Sequence, residues 1–181
     1  MVFVIATVLV AQSAAVRIDG QQLHLVSPRI HFLTGDALQR LRDGATVNYE
    51  FQLTARPDRT GKLLGRAVNR FAVSYDLWEE KYAVTKLGTP PKSVSHLTTA
   101  AAEAWCIENT LMPLGVLPQN EAFWVRLDYR AEEAGASSDQ ADNSGFSLSS
   151  LVDIFSRRAQ REQVHGTEEV GPLRLTDLRK K

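Results

Sequence analysis

The stretch TVNYEFQLTA, residues 46–55, alternates without interruption: Val47, Tyr49, Phe51 and Leu53 stand on one side, Asn48, Glu50, Gln52 and Thr54 on the other. A period of two belongs to a strand with one face on a core and one in water. AFWVRLDYRA, residues 122–131, repeats it, with Phe123, Val125, Leu127 and Tyr129 inward against Trp124, Arg126, Asp128 and Arg130. In RFAVSYDLWEEKYAVTKLG, residues 70–88, Phe71–Leu77 and Lys81–Leu87 read as two strands and the residues between them as an ordinary hairpin connection. QLHLVSPRIHFL, residues 22–33, gives a weaker strand bent at Pro28. Half-buried alternating strands joined by short turns imply an antiparallel sheet rather than a parallel Rossmann-type one.

Three helical patterns interrupt the strands. TGDALQRLRDG places Leu38 and Leu41 on one face and Gly44 where a helix stops in the left-handed conformation. SHLTTAAAEAWCIENTL, capped by Ser95, is rich in Ala, the best helix former. Its expected core face is Leu97, Ala100, Ala101 and Ala104, flanked by Trp105, with Pro113 and Gly115 ending it. Cys106 then points away from that face, yet is expected to be covered and inert, as free cysteines usually are. SLSSLVDIFSRRAQ puts Leu148, Leu151, Val152 and Phe155 at helical spacing, with Arg157, Arg158 and Arg161 near the end where the helix dipole favours cations. Before it, EEAGASSDQADNSG reads as a flexible acidic loop.

Charge changes this picture only locally. The 181 residues hold 21 Lys plus Arg and 21 Asp plus Glu, so no global field favours nucleic acid or an anionic membrane. Arg56, Arg59, Lys62, Arg66 and Arg70 form a basic run against the single acid Asp58. No aromatic interrupts it to stack on a base, so it is expected to be a solvated loop between strands rather than a nucleic-acid patch.

The N-terminus MVFVIATVLVAQSAA has no charge from Val2 to Ala11, followed by small residues, with Ser13 and Ala15 at the −3 and −1 positions of a signal-peptidase site. The run is short of the roughly 20 residues a spanning helix needs. A cleaved signal and a periplasmic or secreted protein are therefore expected, although no Lys or Arg precedes the run. The competing reading is a buried first strand. Cys106 is the only cysteine, so no disulfide can form within the chain, and a link between chains is the remaining oxidative option.

The order in which DALQRLRDGATVNYEFQLTA leads into RFAVSYDLWEEKYAV, then an Ala-rich helix, then NEAFWVRLDYRAE resembles a bacterial family of exported proteins known only as a domain of unknown function, family 4390. The likeness spans roughly residues 20–131. It implies an envelope location and a β-rich fold, and brings no activity or catalytic residues. The chain departs from the family pattern after the Phe123 strand, where the acidic Ser/Gly loop stands in place of a Leu-Pro step.

Catalytic signatures are sparse. RTGKLLG lacks the upstream glycine and the Ser or Thr of a phosphate-binding loop, and no G-x-S-x-G nucleophile elbow is present. His24, His31, His96 and His165 show no metal-ligand spacing, although a turn at Pro28 would bring His24 and His31 together. Glu108 is the carboxylate expected on the apolar side of the Ala-rich helix, with Arg126 and Arg130 as available partners.

These readings combine into an α+β fold, a mostly antiparallel, sandwich-like sheet with the Ala-rich helix and a C-terminal amphipathic helix packed on it. Residues 1–15 form the signal, 16–131 the β-rich core, 132–146 the acidic loop, and 147–181 the amphipathic helix and tail. The expected role is a non-enzymatic envelope module that binds another envelope protein, without cofactor, metal or nucleic acid. Two alternatives stand beside it. One is a hydrolase-like enzyme assembled from dispersed residues such as Glu108, His96 and an arginine. The other is a peripheral membrane protein held by the last helix, with Arg157, Arg158 and Arg161 on the lipid surface.

Overall fold

Val47–Arg56 lies at the centre of the larger of two sheets because both of its edges are paired along almost their whole length. The computed structural model describes residues 14–27, 29–132 and 164–179. Most of the expected signal, Pro28, the acidic loop from Glu133 onward, and the expected helix with Arg157, Arg158 and Arg161 lie outside the described residues.

In chain order the elements are β1 (Ala15–Asp19), β2 (Gln22–Val26), α1 (Gly35–Arg42), β3 (Val47–Arg56), β4 (Gly65–Asp76), β5 (Lys81–Leu87), β6 (Lys92–Leu97), α2 (Thr99–Glu108), β7 (Leu111–Pro113), a 3-10 turn (Leu114–Val116), β8 (Phe123–Ala131), β9 (His165–Leu173) and α3 (Leu175–Leu178). The large sheet runs β6-β5-β4-β3-β8-β9 and the small one β1-β2-β7, and every pairing is antiparallel. The fold is α+β and mostly antiparallel β.

The alternation in β3 sorts as its sequence requires. Val47, Tyr49, Phe51, Leu53 and Ala55 are buried on one face, while the polar set takes the other, where Glu50 and Thr54 are also covered. Phe123, Val125 and Leu127 of β8 and Phe71 and Val73 of β4 join them. Phe32, from the connection between β2 and α1, packs edge-on against Tyr49 and Phe51 at 4.8 and 5.0 Å between ring centroids. The small sheet, α1 and α2 complete this core, with α2 lying against β2 and β5. Gly44 follows α1 with φ of 85°, a backbone that glycine adopts without a Cβ clash.

Several expectations need correction. Ser95, His96 and Leu97 belong to β6, and α2 starts only at Thr99, capped by Thr98. Its buried face is accordingly Ala102, Glu103, Cys106 and Ile107, not Leu97, Ala100, Ala101 and Ala104. Cys106 is covered, as expected, but on the core side. The basic run is not a loop throughout: Arg56 ends β3, and β4 begins at Gly65, so Arg66 and Arg70 stand on a strand. Beyond the amphipathic segment, in what reads as a tail, His165–Leu173 forms β9 at the edge of the sheet.

β9 fits beside β8 because two of its glycines make room for aromatic rings. A Cβ at Gly166 would lie 2.2 Å from the Tyr129 hydroxyl, and one at Gly171 would lie 2.6 Å from the Trp124 ring.

Candidate interaction surface

The β4–β5 hairpin turns tightly beyond the paired Asp76 and Lys81. Asp76 sets the turn: its Oδ1 accepts hydrogen bonds from the backbone N–H groups of Trp78 (2.8 Å) and Glu79 (3.0 Å). Those donors, Glu79 foremost, hold the Asp76 carboxyl below its ordinary range by favouring its charged form. Glu80 closes the turn with φ of 53°, a left-handed backbone unusual for a residue with a Cβ. The tip is tied sideways to β6, where His96 Nε2 lies 3.1 Å from a Glu79 carboxylate oxygen. Beneath it Tyr75 and Tyr82 are in ring contact at 4.8 Å.

This fixed turn displays two apolar side chains. Trp78 is 97% exposed and Leu77 56%. The alternation of the strands shows where the hairpin turns, but it carries no information on a ring outside the alternating positions. The only signal was a tryptophan placed in a connection, where small and polar residues are the rule.

The outward face of the large sheet is polar and cross-linked. Glu50 on β3, buried, receives Arg70 from β4 at 3.1 Å and Arg130 from β8 at 3.0 Å. Arg126 donates to both Asp128 oxygens at 2.9 and 3.0 Å, and Thr167 on β9 donates to one of them at 2.7 Å. Arg59 lies 4.5 Å above the Trp124 ring and 3.5 Å from Glu169. Toward β5 the face opens into a depression of about 570 Å³ lined by Glu50, Arg66, Val68, Arg70, Leu87 and Gly88. Val68 and Leu87 are each 43% exposed there. The Arg66 side chain, on a residue whose backbone faces Thr54 in the β3–β4 ladder, has no hydrogen-bonded or ionic partner among the described residues.

The residues proposed for a dispersed active site do not converge. Glu108 is exposed on α2, His96 pairs with Glu79 at the hairpin tip, and Arg126 and Arg130 pair with Asp128 and Glu50. The buried carboxylate of α2 is Glu103, one turn and a residue earlier. It accepts the backbone N–H groups of Phe32 (2.8 Å) and Leu33 (3.0 Å) and pairs with His31 Nδ1 (2.9 Å). His31 thus faces Glu103 rather than His24. With both oxygens occupied by the segment they anchor, Glu103 is a structural clamp. Burial, the larger cause, and Glu103 raise the Cys106 thiol far above its ordinary range, so it is held as a protonated, unreactive group.

No group of three or more metal-ligating side chains is found among the described residues, and no helix among them is long and apolar enough to cross a membrane. Arg157, Arg158 and Arg161, expected as an interaction surface, lie outside the described residues. Comparison with protein-family models, curated proteins and solved structures yields no match.

Proposed function

We propose that this chain is an exported cell-envelope module that acts by binding protein, with the Leu77–Trp78 hairpin tip as its contact point. One observation carries the reading: Trp78, almost wholly in solvent, on a turn held by Asp76, Glu79 and Glu80. Tryptophan is enriched among the residues that dominate binding energy, because an indole removes a large apolar area from water with few rotatable bonds to immobilise. A turn already set in one conformation lowers the ordering cost of association. The charge-free N-terminal run and the resemblance to a bacterial exported family supply the envelope setting.

A photo-crosslinking amino acid placed at position 78 tests the contact. Irradiation of living cells is expected to give a discrete adduct, with none from the same group at exposed Thr60 on the β3–β4 connection. No adduct at position 78 would sink the reading. Export is checked separately by N-terminal sequencing of the protein recovered from the envelope fraction, expected to begin at or near Val16. An intact Met1 in the cytoplasmic fraction would remove the envelope setting.

A further inference from the structure

The hairpin tip and the depression on the outward face are complementary, and both lie on the β4–β5 arm. The tip offers an apolar indole and Leu77 beside the acids Glu79 and Glu80, Glu79 also touching His96, while Asp76 is engaged by the turn's own N–H groups. The depression offers an apolar floor of Val68 and Leu87 beside Arg66 and Arg70, with Arg66 unpartnered among the described residues. At about 570 Å³ this shallow depression has room for one indole.

We infer that the occupant of this depression is the Trp78 tip of a second copy of the chain, in a reciprocal two-fold dimer. The inference rests on the reading of the tip as a protein-binding surface. The arm between the two features permits the approach. On its outward face the cross-strand pairs are Ala72 with Thr85 and Ser74 with Ala83, all short side chains that leave a low lane between tip and depression. Lys81 to Leu87 is seven residues of strand, about 20 Å from end to end at the usual rise. Two arms laid antiparallel, outward face to outward face, therefore bring each tip over the other copy's depression.

A two-fold arrangement makes every contact twice, so each tryptophan fills a depression and each acidic tip meets the Arg66 guanidinium. The charge pairing gives register and steering, and the two indoles give the larger share of the buried apolar area. The carboxylate of Glu50 also lines the depression, but it is already held by Arg70 and Arg130 and leaves Arg66 to the incoming acids.

Sedimentation of the full chain from low micromolar to near-millimolar concentration tests this. A reversible monomer–dimer equilibrium is expected, weakened at least about tenfold by Trp78→Ala, the size of loss expected of a binding hot spot. Arg66→Glu alone, and Glu79→Lys with Glu80→Lys, should each weaken dimerisation. The three charge reversals combined in one chain should restore it, which a merely structural effect would not do. These side chains are exposed, and circular dichroism and melting temperature verify that each variant folds. A chain that stays monomeric throughout, or dimerises equally well with Trp78→Ala, overturns the inference. Growth beyond the dimer overturns the two-fold arrangement. A monomer in solution that still gives an adduct with a different protein at position 78 refutes self-pairing and leaves the tip reading standing, whereas absence of any adduct at position 78 removes the reading on which it rests.

Discussion

Glu103 places a charge in the interior at 4% exposure, and the cost is met by two backbone N–H donors and an imidazole. The same bonds fix Phe32, whose ring stands at the meeting point of Tyr49, Phe51 and Tyr129. Glu103→Leu strands the N–H groups of Phe32 and Leu33 without an acceptor and is expected to cost about 3 kcal/mol. Glu103→Gln keeps one oxygen to accept both and should cost about half as much on the same scale. Chemical denaturation of the two variants measures the difference; equal losses would mean that the carboxylate's hydrogen bonds are not what holds the segment. Asp76 gives a second test. Its charged form is favoured in the folded chain, so its contribution is complete above the ordinary carboxyl value of 3.8 and fades as pH falls through the lowered folded value. Amide exchange at Trp78 and Glu79 is therefore expected to lose protection, after correction for intrinsic exchange, when the pH drops below that range, with the core strands unaffected.

At the scale of elements, β9 depends on the absence of side chains at two positions. Gly171→Ala pushes a methyl group into the face of Trp124, a ring already held from above by Arg59, and is expected to destabilise by about 1–3 kcal/mol. Thermal melting gives the magnitude, and hydrogen exchange should show the loss concentrated in β9. An unchanged melting temperature would mean that Trp124 moves aside freely. The same glycines explain why β9 was not legible in the sequence. HGTEEVGPL lacks apolar alternation and carries the residues that usually mark turns, yet an edge strand tolerates both Gly and Pro. β3 and β8 were legible because each has large apolar groups at every second position and polar ones between. The face of α2 was not, because Ala at 100, 101, 102 and 104 gives almost no contrast between sides. The larger groups Cys106 and Ile107, with the bonded carboxylate of Glu103, decide its rotation. The outward face followed the same logic: its residues were read correctly as polar, but which arginine meets which acid depends on strand register. Arg70, Glu50 and Arg130 become neighbours only when β4, β3 and β8 align.

For the whole molecule, the decisive connection is the one between β8 and β9. These strands are antiparallel neighbours, Arg130 pairs with His165, and the Ala131 amide donates to the Val164 carbonyl at 3.0 Å. The chain therefore leaves and re-enters the sheet at adjacent points. Replacing residues 132–163 with a two-residue Asn-Gly turn, which joins Ala131 to Val164 opposite it, is expected to yield a chain that still unfolds cooperatively and protects its β9 amides. Truncation after Glu132 instead removes β9, uncovers Trp124 and Tyr129, and should lower the melting temperature and increase hydrophobic dye binding. If the turn-bearing chain failed to protect β9, the segment would be needed to hold the strand in register.

The ends at Glu132 and Val164 are thus the two sides of a port in a hairpin. Adjacent anchor points mean that the length and composition of what is inserted barely alter the entropy of closing the sheet, which rises only logarithmically with loop size. Anchors this close accept inserts of different length or composition with the β8–β9 pairing kept, and an engineer can seat a foreign domain there on the same grounds.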